Sequence, residues 1–225
     1  MRAHIDLLPG LLDLLEACHG KPRRALPRTA LGWVLWVNVA YLVSDERRAV
    51  AFEALRERSG LTAAGILKLP RERLLEVAEL GGMHPEQRVD KLLGIAQRVL
   101  DEFDGDLEGV LSLDLGPARR ALKRFPGIGD PGADKIVLFT GAQPVPALES
   151  NGLRVLVRLG LAREGKSYAV TYKSGVAALA PHHQRGCAWL MRAHDLLRAH
   201  GQQPCKNTAP LCDECLLSDR CPSAT

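Results

Sequence analysis

No apolar run in this chain reaches the roughly 18–20 residues that a membrane-spanning helix needs. The longest, Leu31 to Val43, is shorter and contains Asn38. No membrane contact is therefore expected. The first residues lack the basic-then-apolar order of an export signal. The chain is thus expected in the cytoplasm, where thiols stay reduced. Runs of β-branched residues are few, which argues against sheets. Neither sign of charge dominates: 30 Lys and Arg face 26 Asp and Glu, giving a net charge of +4 and an isoelectric point near 8.8. That balance permits a nucleic-acid partner without demanding one. There is no fixed-period repeat and no low-complexity tract. Aromatic residues are scarce, and Trp33 and Trp36 fall on an apolar helical stretch, where they read as core residues rather than base-stacking ones.

What the chain does hold is helix. Hydrophobic residues at 46% support a core, and charged residues at 25% support a soluble surface. The length suits one large domain or two small ones. Ile5 to Cys18 is a leucine-rich helical segment, broken by Gly20-Lys21-Pro22-Arg23-Arg24 as a linker. Thr29 is expected to cap a helix over Ala30 to Leu42, apolar nearly all round and so central to a core. Ser44-Asp45-Glu46 opens a helix to about Arg58, Thr62 caps a short one, and Pro70 begins another. Gln87 to Phe103 is a long amphipathic helix. The loop before it, Gly81-Gly82-Met83-His84-Pro85, makes His84 a solvated loop residue. Gly141 to Pro146 reads as extended, Ser150 or Asn151 as a helix cap, and Ala162 to Thr171 as a polar connection. Gly175 to Leu179 and Cys187 to His200 read as helices, with Pro181-His182-His183 as a loop between them. The expected fold class is all-α.

One stretch reads as helix, tight hairpin, helix. Gly116 to Arg124 forms the first helix, and Pro126 and Gly127 end it. Gly127 and Gly129 bracket Ile128, which suits a turn too sharp for side chains at both flanks. Asp130 is expected to cap the second helix, with Pro131 in its first turn and the end near Thr140. Such a turn aims several backbone N–H groups at one point before a helix N-terminus, a ready anion site.

Six cysteines are present, and four of them, Cys205, Cys212, Cys215 and Cys221, share the tail in the spacing C-x6-C-x2-C-x5-C. In a reducing compartment that clustering favours metal over disulfides. A four-thiolate zinc site and a [4Fe–4S] cluster both satisfy the ligand chemistry. Cys18 and Cys187 stand alone and read as ordinary buried thiols.

A glycine hairpin followed about 75 residues later by this cysteine pattern resembles the endonuclease III family of DNA base-excision glycosylases, within the helix-hairpin-helix superfamily. The likeness runs from about Leu31 to Cys221. It implies a [4Fe–4S] cluster on the four tail cysteines, a double-stranded DNA partner, association with the nucleoid when bound, and a monomer. It also implies two all-α domains with a DNA groove between them. A six-helix domain would span 31–142, with its helix-hairpin-helix at about 116–140. A cluster domain would combine 1–30 with 143–225.

The family's chemistry needs a carboxylate that stabilises the cationic sugar formed as the base leaves. Bifunctional members add a lysine that attacks the sugar to form a Schiff base. The resemblance puts the lysine position at Pro131, which has no side-chain amine. Lys135 lies one helical turn beyond. In Ala147-Leu148-Glu149-Ser150-Asn151-Gly152-Leu153-Arg154-Val155, the family's Arg-Val register puts the aspartate position at Glu149. Gly127, Ile128, Gly129, Lys135 and Arg154 become DNA contacts, Lys206 and Arg220 are presented to phosphates, and Met83 and His84 are candidates for a wedge. The implied activity is a monofunctional glycosylase that hydrolyses the N-glycosidic bond of a damaged or mismatched base, with strand cleavage absent or weak. A catalytically silent paralogue that binds lesions is the alternative, and a zinc-binding helical protein unrelated to DNA a third.

Overall fold

The computed structural model describes residues 2–22 and 26–224, with side chains from Leu7 onward. Arg23 and Arg24 of the expected linker lie outside the described residues. Among the described residues there are eleven α-helices and four 3-10 segments, and the one β feature is an isolated bridge between Tyr41 and Gly82. The fold is all-α. No helix among the described residues is long and apolar enough to cross a membrane. The chain forms two compact units, Ala25–Thr140 and Met1–Arg24 with Gly141–Thr225.

The contiguous unit holds α2 (Ala30–Asn38), α3 (Asp45–Ser59), α4 (Ala63–Lys68), α5 (Arg71–Leu80), α6 (Pro85–Phe103), α7 (Leu115–Leu122) and α8 (Asp130–Phe139). Side-chain caps set many of the boundaries: Thr29, Ser44 and Thr62 accept hydrogen bonds from Gly32 N, Arg47 N and Gly65 N. α2 is the core helix, with Trp33, Val34 and Leu35 buried. It ends at Asn38, four residues before the expected Leu42. The Asn38 side chain donates to Val34 O at 2.9 Å and to Pro126 O at 2.8 Å, while Tyr41 N donates to Gly81 O at 2.9 Å. These bonds turn the backbone out of the helix, and Leu42 takes a left-handed φ of +52°.

The second unit holds α1 (Arg2–His19), α9 (Ser150–Arg158), α10 (Tyr168–Leu179), α11 (Gly186–Gln202) and the cysteine tail. Leu8, Leu11, Leu12 and Leu15 of α1 share one core with Leu153 and Leu156 of α9, Leu196 and Leu197 of α11, and Leu217 of the tail. α9 and α11 approach closely at Gly152 and Gly201: a Cβ on Gly201 would lie 2.4 Å from Asn151 O. α10 starts at Tyr168, inside the expected polar connection, because the Ser167 side chain accepts from Val170 N and caps a helix there. Pro181-His182-His183 lies in a 3-10 segment rather than a loop, with His182 buried and stacked on Trp189 at 4.7 Å. Cys18 is exposed, not buried as expected, and Cys187 is half-buried.

Candidate functional site

The hairpin joins α7 to α8 through Pro126-Gly127-Ile128-Gly129. Gly127 has a φ of +74°, and a Cβ there would lie 3.3 Å from Val37 Cγ1, so both backbone and space call for glycine. Ile128 and Phe125 are buried and anchor the turn, with Phe125 stacked on Phe103 at 5.7 Å. The cap of α8 differs from expectation. Gly129 is the N-cap, no side chain caps the helix, and Asp130 is already helical. Asp130 instead accepts from Lys123 Nζ at 2.7 Å, an ion pair back to the residue that ends α7. The buried Asp134 pairs with Arg119 of α7. The first intrahelical bond of α8 runs from Ala133 N to Gly129 O at 2.9 Å. The N–H groups ahead of it therefore face the hairpin, and the positive end of the helix dipole lies there. Pro131, in this first turn, adds no N–H and no charge. Lys135 places its Nζ over the Trp33 ring at 5.2 Å.

A second feature of this unit follows from the Tyr41 to Gly81 hydrogen bond, which clips the loop after α2 to the loop before α6. The clipped loops display Tyr41, Leu42 and Met83, which are 51%, 73% and 55% exposed, with the exposed His84 at a left-handed φ of +56°. Beside them opens a cleft of about 510 Å³ lined by Asn38, Tyr41, Met83, His84, Arg88, Lys91 and Gly127, among others. Arg88 is buried and donates to the carbonyls of Ala78 and Gly82. Sequence reasoning singled out Met83 and His84 but missed Tyr41 and Leu42, because it continued α2 through them.

In the other unit, Glu149 is itself the N-cap of α9, in place of the expected Ser150 or Asn151. Its Oε1 accepts from Gly152 N at 2.7 Å and its Oε2 from Asn151 Nδ2 at 2.8 Å. Burial and the negative charge of Glu149 raise the pKa of Tyr168. Arg154 turns inward: Nε donates to Cys205 O at 3.0 Å, and Nη2 donates to Asn151 Oδ1 at 2.8 Å and Gly201 O at 2.6 Å. Its guanidinium thus fastens the start of the tail to α9 and α11.

The tail closes on the same two helices. Cys205, Cys212, Cys215 and Cys221 are free thiols that line one concavity, with Arg158, His200 and Leu217 among its other walls. Arg158 Nη1 donates to Cys205 Sγ at 3.3 Å and to Lys206 O at 2.7 Å, and Cys221 Sγ lies 3.4 Å from Arg158 O. His200, fully buried in the last turn of α11, has Nε2 3.4 Å from Cys215 Sγ. Burial and then nearby His19 lower the His200 pKa to about 4. The Cys215 thiol is pushed up, mainly by burial and further by the charges of Cys205, Cys221 and Cys212. Among the described residues, no group of three or more His, Cys, Asp or Glu side chains converges on a single ion position. Arg158 and His200 carry no sequence signal; only tertiary packing brings them to the sulfurs.

No protein-family model matches the chain. Endonuclease III of Sulfolobus acidocaldarius is 25% identical over 195 residues, covering 86% of this chain and 82% of that protein. The structure of a trapped covalent intermediate of endonuclease III with DNA superposes with a TM-score of 0.75 at 19% identity, covering 98% of this chain and 96% of that one. A thermostable thymine-DNA glycosylase superposes with the same TM-score of 0.75 at 13% identity, covering 96% of each. With a glycine hairpin between α7 and α8, the chain is thus similar in sequence to endonuclease III and has the fold of the helix-hairpin-helix DNA glycosylases.

Proposed function

We propose that the protein is a base-excision DNA glycosylase of the monofunctional kind. It binds double-stranded DNA and hydrolyses the N-glycosidic bond of a damaged or mismatched base, with Glu149 as the catalytic carboxylate. The observation that carries this reading is the superfamily fold combined with Pro131 in the first turn of α8, where the family's Schiff-base lysine is expected. A side chain without an amine forms no imine, so water is left as the nucleophile. The hairpin amides around Gly127, Ile128 and Gly129 hold a backbone phosphate at the N-terminus of α8. The exposed Tyr41, Leu42, Met83 and His84 form an apolar wedge that fills the stack when a base is flipped out.

The donor set of the tail, four free thiols lining one concavity, fits a [4Fe–4S] cluster. Cys205, Cys212, Cys215 and Cys221 would hold it. The cluster supplies cross-linking of the tail rather than base-excision chemistry. The chain's own residues do the rest: Arg154 and Arg158 fix the start of the tail, and Lys206 and Arg220 stand exposed for phosphates.

One observation favours a second reading, a protein that binds lesions without excising them: both oxygens of Glu149 already serve the cap of α9. A base-release screen over oxidised, deaminated, alkylated and mismatched duplexes separates the two, with Glu149→Gln as control. Release by the wild type, abolished in the variant and without a borohydride-trapped protein–DNA adduct, is the expected result. Efficient trapping would overturn the monofunctional assignment. DNA binding with no release from any duplex would establish the second reading.

A further inference from the structure

The sulfur of Cys215 is reached by a chain of two histidines from the far end of the unit's own sequence. His19, the last residue of α1, has Nε2 3.1 Å from Nδ1 of His200, and Nε2 of His200 lies 3.4 Å from Cys215 Sγ. His200 is 1% exposed, so no water competes for its ring. Its backbone carbonyl also accepts from Cys205 N at 3.0 Å, so ring and backbone both address the cysteine loop. His19 is held in turn by the Gln203 side chain. A metal-bound thiolate only accepts hydrogen bonds, so Nε2 of His200 must carry a proton toward it. With its Nε2 proton turned to the sulfur, the neutral His200 ring accepts at Nδ1, so His19 Nε2 is the donor of the His19–His200 bond.

We propose that His200 is a positioning residue for the cluster: its Nε2–H donates to the Cys215 sulfur, and His19, bound at Nδ1, fixes the ring's orientation. The inference rests on the reading of the tail as a [4Fe–4S] loop. An N–H donated to a cluster thiolate withdraws negative charge from it. It therefore favours the reduced cluster and makes the potential more positive. The same bond holds the sulfur in place against loss of iron. Arg158 does the corresponding work at Cys205 through Nη1, but it also donates to two tail carbonyls, so its removal would confuse tuning with loop anchoring. His200 has the cleaner side-chain role.

The test uses the full-length protein, purified without oxygen, with its midpoint potential and its rate of iron loss to a chelator as readouts. His200→Leu removes the donor. It is expected to move the potential to more negative values and to speed iron loss by about 10-fold, in line with the usual effect of removing a ligand's hydrogen-bond partner. His200→Gln places an amide N–H near the Nε2 position and is expected to restore both readouts most of the way, which a purely space-filling role would not require. His19→Leu, on the half-buried partner, is expected to shift both in the same direction by less, with the thermal midpoint unchanged. If His200→Leu does not fold, His19→Leu decides the matter. A folded, fully loaded His200→Leu or His19→Leu with wild-type potential and iron loss would overturn the proposal. A wild-type protein without iron–sulfur absorbance would instead overturn the cluster reading beneath it.

Discussion

The carboxylate of Glu149 accepts hydrogen bonds from Gly152 N and Asn151 Nδ2, and so fixes the first turn of α9. The longer glutamate arm folds back to do this, which the sequence alone left to Ser150 or Asn151. Glu149→Gln keeps an oxygen for Gly152 N but removes the charge. Thermal or denaturant unfolding should therefore change by less than about 1 kcal/mol, while base release falls by about 100-fold or more. A comparable loss of stability and activity together would assign Glu149 to capping alone. Gly127 is the other residue whose role turns on backbone geometry. Its φ of +74° and the Val37 Cγ1 atom 3.3 Å from any added Cβ set the cost of Gly127→Ala at about 1–2 kcal/mol. Denaturant titration measures that cost, and duplex affinity should drop with it.

At the scale of elements, α2 and the hairpin are one mechanical piece. Asn38 ends α2 and donates to Pro126 O in the turn, while Gly127 packs on Val37 and Asn38. Asn38→Ala leaves the part-buried Pro126 carbonyl of the hairpin without its donor, a loss of about 1 kcal/mol. Hydrogen exchange should show the hairpin amides opening faster than those of α3 or α5 in the variant. Uniform loss of protection across the unit would point instead to a general core defect. Much at this scale was legible. Thr29, Ser44 and Thr62 mark helix starts by a local rule, and they cap as that rule requires. The misplacements share one cause. The end of α2, the cap of α8 and the start of α10 were each decided by a hydrogen bond whose identity the local pattern left open: Asn38 to Pro126, Lys123 to Asp130, and Val170 N to the Ser167 side chain.

Over the whole molecule, a net charge of +4 spread across 225 residues leaves DNA affinity to a few placed cations. Duplex binding should weaken linearly in a plot of log affinity against log salt. Lys206→Ser and Arg220→Ser, both at exposed positions of the tail, should each reduce the salt slope by about 1 without changing which duplex is preferred. An unchanged slope in both variants would remove the tail from the DNA-contact surface.

Composition and spacing by themselves determined the all-α class, the hairpin built on Gly127 and Gly129, and the four-cysteine tail, because each depends on residues close together in the chain. Periodicity, turn chemistry and ligand spacing are local quantities. Tertiary structure alone decided what surrounds those features. It turned Arg154 inward onto Cys205 and Gly201, set Lys135 over Trp33, and brought Tyr41 into one cleft with Met83. It also carried His19 across 181 positions of sequence to the ring that faces Cys215. Such neighbours are chosen by the packing of helices against one another, and a buried side chain's partner is fixed only when the core that excludes water from it has closed.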